Sequence, residues 1–352
     1  MDRPACRPQE AREARGGGRR TATLAGMRAD TTLVVNNSAE LVAVLPFLMG
    51  YHPHETVALV GMRDGRIDFG ACFNLPPPDI AEPDLRSRTR EVVAGILRQE
   101  PDLLVIVGYG PPARITPVVL RIAEVLQTVG VRIDDVLRVH EGRWWSYACE
   151  DRECCPAEGT PCLPPDSVIA AEATYRGQVA LPSRRDLVAQ VASLDGPVRV
   201  AMTAATERAR KRFHGLLEGD GATKRIRQAG RLAVREAEKR YRSGGVLTDA
   251  ETAWLGVLLT DLAVEDYAVD RTGEHEWRAS LWTDVLRRVE PVYVPAPACL
   301  LGFTAWQLGR GALARVAVDR ALDVEPGHEL AGMLHQLLGF AISPAVVRRW
   351  RR

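Results

Sequence analysis

The feature that most limits the possible folds is a change of pattern near Pro165. Before it, short apolar runs alternate with longer amphipathic segments; after it, the chain is rich in Ala, Leu and Arg with helical periodicity. Continuous apolar runs such as residues 56–62 and 103–109 are typical of buried strands, and their alternation with helices favours a mixed sheet. The sequence therefore predicts an α/β N-terminal domain with a mixed sheet, followed by an all-α C-terminal domain of helical hairpins.

Three segments follow from this pattern. Residues 1–28 are rich in Arg, Gly and Ala without apolar periodicity, which predicts a disordered extension because such a segment buries too little surface to offset its ordering entropy. Met27, near its end, is the expected natural start. Residues 29–165 form the predicted α/β domain, and residues 166–352 form the predicted all-α domain.

One hairpin of the second half carries a distinctive spacing of small residues. Small side chains let two antiparallel helices approach closely, and a proline ends the second helix. The spacing resembles one tetratricopeptide unit, whereas a solenoid needs about three such units. It therefore predicts a close helical hairpin, with a protein partner bound through the helical domain as the favoured interaction. The residues are Leu301-Gly302, Gly309, Ala314, Ala321-Leu322 and Pro326.

Charge and cysteine usage narrow the class of protein. A formal net charge of +1 gives no overall field for nucleic acid or an anionic membrane. There is no run of eighteen apolar residues for a transmembrane helix and no apolar core of a signal peptide at the N-terminus. Seven scattered cysteines do not form the framework of a secreted disulfide protein, so we expect a cytoplasmic location.

A basic segment at residues 207–242 holds twelve Lys or Arg against five Asp or Glu. Such a cluster is one basis for binding nucleic acid, because Lys and Arg side chains neutralise phosphate charges. However, Glu236–Arg240 and Glu238–Arg242 are spaced as i,i+4 pairs beside an apolar stripe, which is typical of a solvated amphipathic helix. The sequence therefore predicts a solvated helix here and does not predict nucleic acid as a partner.

The most distinctive stretch is residues 144–162, WWSYACEDRECCPAEGTPC, here called the Trp/Cys loop. Trp144 and Trp145 alternate on a predicted strand, so one ring should face the core and the other outward. An outward ring beside Tyr147 suits either a ligand platform or a seam between the two halves. The candidate functional or structural residues are Trp144, Trp145, Ser146, Tyr147, Cys149, Cys154, Cys155, Pro156, Gly159 and Thr160.

Three interpretations of the clustered thiols remain open. They are buried groups that hold the loop, a redox-labile disulfide from Cys149 to Cys155, or zinc ligands. For zinc, the candidates are Cys149, Cys154 or Cys155, and Cys162, with His140 upstream. No cofactor is predicted, and zinc is kept as the alternative.

Two other places carry weaker signals. His52 and His54 flank a proline in a turn, and their order is not that of a metallohydrolase motif. The segment 108–112, GYGPP, follows a strand and precedes a helix, where a doubly wound fold binds phosphate. Its two prolines remove amide donors, so it is a poor phosphate cradle.

Three quoted segments carry a family resemblance: LVAVLPFLMGYHPHETVALVGM, RVHEGRWWSYACEDRECCPAEGTP and ALARVAVDRALDVEPG. They are similar to the actinobacterial domain-of-unknown-function family 4192 over roughly residues 30–340. The resemblance implies an α/β part followed by a helical part, and it implies no activity, substrate or cofactor. It matches every candidate residue of the loop except Tyr147. It also implies that Cys162 departs from the family pattern, which weakens a four-ligand zinc site.

Two functions are expected from these features. The first is a non-catalytic regulatory or scaffolding protein whose Trp/Cys loop is structural or redox-sensitive. The alternative is an enzyme of unidentified reaction with its site at the sheet edge, formed by the loop, Tyr109 and the residues near His52. The lack of a complete catalytic motif in the sequence favours the first.

Overall fold

The computed structural model describes residues 20–23, 32–64, 66–80, 82–175, 177–339 and 344. Two compact units divide the chain, one ending at Arg184 and resuming at Gly339, the other formed by Arg185–Leu338. The sequence places the boundary at residue 165, where helical composition begins. The difference arises because the helix Val168–Tyr175 packs against the helix Ser38–Met49 of the first unit.

The first unit is built on a mixed sheet, as predicted. Eight strands of the described residues lie in the order β2-β1-β4-β3-β5-β6-β7-β8. β5 and β6 are parallel, as are β1 and β4, and the other neighbours are antiparallel. The strands are β1 (Arg20–Thr23), β2 (Thr32–Val35), β3 (Thr56–Arg63), β4 (Arg66–Asn74), β5 (Leu103–Tyr109), β6 (Ile133–His140), β7 (Arg143–Ser146) and β8 (Thr160–Pro161).

Strand β1 falls inside the segment predicted to be disordered. All four of its residues pair with β2, and two of them, Thr21 and Ala22, also pair with β4, so backbone hydrogen bonding to a sheet supplies order that composition does not indicate. The rest of residues 1–28, including Met27, lies outside the described part of the chain.

The two apolar runs 56–62 and 103–109 become the central strands β3 and β5, as predicted. Leu59, Leu104 and Ile106 are buried in one core cluster with the helix residues Ile115 and Val119. Helices α1 (Ser38–Met49), α2 (Glu82–Gln99), α3 (Pro112–Thr128) and α4 (Val168–Tyr175) complete the unit.

The second unit is helical throughout its described elements. Its helices are α5 (from Arg184, at the boundary, to Val191), α6 (Pro197–Leu217), α7 (Ala222–Arg242), α8 (Asp249–Leu258), α9 (Leu262–Asp270), α10 (Glu276–Arg288), α11 (Pro295–Gln307), α12 (Gly311–Val324) and α13 (Glu329–Gly339), with a 3-10 turn at Pro291–Tyr293. In the described part of the chain, no helix combines the length and the apolar character needed to cross a bilayer.

The predicted close hairpin is formed by α11 and α12. A Cβ at Gly302 would lie 2.7 Å from Cγ2 of Val318 and 3.4 Å from the carbonyl oxygen of Ala314. Only a residue without a side chain permits this approach, so the small-residue spacing identified a real helix–helix contact.

The acidic residues of α7 differ from their predicted surface pairing. Glu238 is buried and accepts hydrogen bonds from Arg271, with Arg278 Nη2 3.3 Å away. Arg240 instead pairs with Glu251 of α8 at 2.8 Å. One face of α7 is therefore a buried ionic contact between helices.

Candidate functional site

The Trp/Cys loop is mounted on a β-hairpin at the edge of the sheet. Strand β6 turns at Glu141 and Gly142, both with positive φ, into β7. The chain leaves β7 after Ser146 and returns as β8, where Thr160 pairs with Trp144. Both ends of the loop are thus held by strand β7, so the loop leaves the sheet edge and returns to the same strand.

Trp145 is the anchor of this loop. The guanidinium of Arg138, on the neighbouring strand, lies 3.6 Å from its ring centroid. The indole Nε1 donates to the carbonyl oxygen of Ala157 at 3.0 Å, and Gly159 packs directly against the ring. A stacked cation, a hydrogen bond and a backbone contact therefore hold the ring in one orientation.

The two tryptophans do not divide into one core and one outward ring. Both are half-buried. Strand β7, which the sequence predicts as the edge of the sheet, is paired with β8 and contacted by the end of the loop. The indole Nε1 of Trp144 is shielded from solvent without a hydrogen-bond partner. Neither ring is thus a freely exposed platform.

Ser146 and Tyr147 tie the start of the loop to the core. The Ser146 hydroxyl donates to Asp135 at 2.6 Å, and the Tyr147 hydroxyl lies 2.5 Å from Thr116 Oγ1 on α3. Ser38 also donates to Asp135, at 3.0 Å. Asn37 caps α1, and Ser38, the first residue of the helix, is buried and directed at this carboxylate.

Burial raises the pKa of Asp135, outweighing the hydrogen bonds from Ser146 and Ser38 that lower it. An acid with a raised folded-state pKa stabilises the fold when protonated, and this stability is lost as the pH rises from the unfolded pKa, about 3.9, through the folded one. We therefore expect Asp135→Asn to be more stable than wild type at pH 8, with the advantage shrinking toward pH 4.

Urea unfolding across this pH range measures the difference. Asp134→Asn, which removes a neighbouring charge that also raises the pKa of Asp135, should shift stability in the same direction by less. A wild-type protein that gains stability over Asp135→Asn as the pH rises would contradict the prediction.

The structure brings three thiols of the loop together. The sulfur atoms of Cys149, Cys154 and Cys155 all lie within 4.8 Å of one another. None of the three forms a disulfide; Cys154 is exposed and the other two are half-buried. Burial raises the pKa of Cys155, and the Cys149 and Cys154 thiols add to this shift. Because none is fully buried, apolar packing does not account for the cluster.

The local backbone explains why these cysteines meet. The carbonyl oxygen of Asp151 accepts from the amide of Cys155 at 2.7 Å and lies 3.8 Å from Cys149 Sγ. The side chain of Asp151 accepts from the amide of Glu153 at 2.9 Å, which forms a compact turn. A second turn closes where the Gly159 amide donates to Pro156 at 2.9 Å.

The fourth ligands considered for zinc lie elsewhere. Among the described residues, neither His140 nor Cys162 belongs to the thiol group. His140 lies 3.7 Å from Glu141, and the Cys162 amide donates to Gly142 at the hairpin turn. The geometry is therefore that of three thiols rather than of a complete tetrahedral set.

The sheet-edge residues of the enzyme hypothesis form no ligand group in the described part of the chain. His52 and His54 are exposed in their turn. Tyr109 is buried with its hydroxyl unpaired, and burial followed by the Cys162 thiol raises its pKa. At the start of α3, Pro111 is the N-cap residue without a side-chain hydrogen bond, and Pro112 is the first helical residue.

Sequence reasoning missed two kinds of residue. Arg138 and Asp135 are charged positions within a strand, a local signal that could have marked them as buried and partnered. Glu265, Cys299 and His328 also form a group whose ligand atoms lie within 4.8 Å of one another. They lie far apart in the sequence, and no local spacing reveals their meeting.

A family model described as Domain of unknown function (DUF4192) matches residues 39–345. Neither the curated proteins nor the solved structures include a match to the chain. The matched range includes the whole Trp/Cys loop and most of both units.

Proposed function

The chain belongs to the DUF4192 family, a membership that assigns no chemistry, and from its geometry we propose a non-catalytic regulatory protein with a thiol switch. The switch is the Cys149, Cys154 and Cys155 cluster, which forms a reversible disulfide between Cys149 and Cys155 under oxidation. A cytoplasmic location, where thiols are held reduced, and a protein partner bound through the helical unit are parts of the same proposal.

The observation that supports it is the proximity of three thiols on one loop of the sheet edge. Sulfur atoms within 4.8 Å need only side-chain rotation and a small loop shift to reach the bond length of about 2.0 Å. Cys154 and Cys155 are adjacent, and a disulfide between them would close a strained ring across one peptide bond. Cys149 is therefore the partner that avoids this strain.

A hydroperoxide is the oxidant class that completes the chemistry. It converts one thiol of the pair to a sulfenic acid and leaves as the alcohol or as water. The second thiol attacks that sulfur, so the S–S bond forms and a water molecule departs. The raised pKa of Cys155 disfavours its thiolate, the form that attacks a hydroperoxide, so we expect the switch to respond slowly at neutral pH.

The test is a count of free thiols after hydrogen peroxide treatment, then after dithiothreitol. We expect two thiols per chain to disappear and return, with a Cys149–Cys155 linkage found by mass spectrometry. Cys149→Ser should abolish the loss, whereas Cys72→Ser, at an exposed cysteine of β4, should retain it. A thiol count unchanged by peroxide, or an unchanged loss in Cys149→Ser, rejects the switch.

A soft metal ion at the same thiols is the second candidate, supported by the same sulfur separations. Zinc would take three thiolates and a fourth ligand such as water, because His140 is not in the group. Metal analysis of the same samples decides between the reversible disulfide and the zinc site. One equivalent of zinc in the wild type that is lost in Cys149→Ser would support the zinc site and reject the disulfide.

A further inference from the structure

We propose that Glu265, Cys299 and His328 form a buried site for one divalent transition-metal ion, with zinc fitting the ligand set best. The site lies entirely within the helical unit. It is independent of the thiol switch proposed for the Trp/Cys loop.

Three separate elements supply the ligands. Glu265 lies on α9, Cys299 on α11, and His328 in the turn between α12 and α13. Cys299 Sγ is 3.7 Å from Nδ1 of His328, and Glu265 Oε1 is 3.6 Å from its Nε2. One ligand atom of each residue lies within 4.8 Å of one from both others.

These separations suit a tetrahedral ion. Zinc–sulfur and zinc–nitrogen bonds of about 2.3 and 2.0 Å place the two ligand atoms about 3.6 Å apart. In the structure, the thiol and the carboxylate face opposite nitrogens of the imidazole. A bound ion therefore coordinates one of the two imidazole nitrogens. The ligand that faces the other nitrogen must then rotate its side chain to reach the ion.

The carboxylate supplies an independent indication of a ligand. Glu265 is only 4% exposed, and its Oε1 has no hydrogen-bond partner. Leaving a buried acceptor unpaired is costly, so native proteins rarely do so without a bound group. The imidazole of His328 approaches this oxygen, at 3.6 Å.

The electrostatic surroundings also favour a cation. Burial, then the carboxylates of Asp266 and Glu325, raises the pKa of Glu265 to about 7. Burial and the acids Glu265 and Glu325 likewise raise the pKa of Cys299. A divalent cation would lower both pKa values, because it stabilises the carboxylate of Glu265 and the thiolate of Cys299. The last residues of α12 and the turn after it, residues 323–327, are exposed, so Glu325 lies where an ion can enter.

The competing explanation is a purely structural hydrogen-bonded trio. His328 lies at the start of α13, and its Nδ1 is 3.4 Å from the amide of Ala331, as in a helix cap. That role explains the imidazole position, but it leaves Oε1 of Glu265 unpaired. Metal binding accounts for both.

The experiment is a cobalt(II) titration of the full chain carrying Cys149→Ser, Cys154→Ser and Cys155→Ser, so that the loop thiols cannot bind. We expect one equivalent to bind with tetrahedral d–d and thiolate charge-transfer absorption, and zinc to displace it. Cys299→Ser in this background should remove the charge-transfer band. Glu265→Gln should weaken binding at least tenfold, the lower end for loss of a metal-site group.

His335→Gln is the matched control, a histidine on α13 outside the trio, and it should bind as the background does. Absence of a thiolate band in the background protein, or its persistence in Cys299→Ser, overturns the site. Because Glu265→Gln preserves side-chain shape, unchanged cobalt affinity in that variant also overturns it if Cys299→Ser does not fold. Failure of the thiol switch leaves this result untouched, since the loop thiols are absent.

Discussion

Gly159→Ala is expected to destabilise the Trp/Cys loop by about 2–4 kcal/mol. An alanine Cβ at this position would lie 2.4 Å from Cε2 of Trp145, far inside contact distance. The backbone also has φ +82°, a left-handed conformation that costs a residue with a side chain about 1–2 kcal/mol. Displacing the packed ring adds about 1–2 kcal/mol, the lower part of the range for overpacking, so the steric clash contributes about as much as the backbone strain.

Gly130→Ala separates these two costs. Gly130 has φ +85° and open space where a Cβ would be placed, so it carries the backbone strain without the clash. Urea unfolding followed by tryptophan fluorescence measures both variants. Gly159→Ala should also expose Cys149 and Cys155 to faster alkylation, because the loop that Trp145 anchors is released. Equal losses of stability in the two variants would contradict the role of Trp145 as an anchor.

The sequence predicted the elements of this fold well because burial leaves a local trace. The runs 56–62 and 103–109 are apolar on both faces, and they are the two central strands. Gly302 and Ala314 predicted the contact between α11 and α12. In each case the packing constraint acts on residues close in the chain, so composition and spacing record it.

The candidate site was predictable only in part. The Trp/Cys loop was found by its residue types, and Cys149, Cys154 and Cys155 do meet. However, the pairing of Trp144 with Thr160, which covers the strand, depends on how the loop returns to the sheet edge. Spacing does not encode that return.

Charge pairing was the least predictable feature. The i,i+4 spacing of Glu238 and Arg242 predicts a surface pair, yet Glu238 is 5% exposed and faces Arg271 and Arg278. A local pattern cannot show that two other helices bring guanidinium groups to the same position. Burial lowers the pKa of Arg278, and the Glu238 carboxylate opposes that shift. The carboxylate is therefore the counter-charge of a buried cation.

Glu238→Gln should consequently lower the stability of the helical unit by about 3 kcal/mol. Removing one partner of a buried ion pair leaves the other charge uncompensated, which costs about 3–5 kcal/mol. We take the lower end because the side chain of Arg271 is 35% exposed and can recover hydration, whereas that of Arg278 is 10% exposed.

Glu236→Gln is the matched control, because it removes an exposed carboxylate two residues earlier on α7. Surface substitutions of this kind change stability by about 0.5 kcal/mol or less. Urea unfolding followed by circular dichroism compares the two variants. A small, equal loss of stability in both variants would mean that water compensates the charge of Arg278. The predicted surface pair of Glu238 with Arg242 would then describe α7 better than a buried ion pair. A large loss confined to Glu238→Gln assigns this carboxylate to the packing of α7 against α9 and α10.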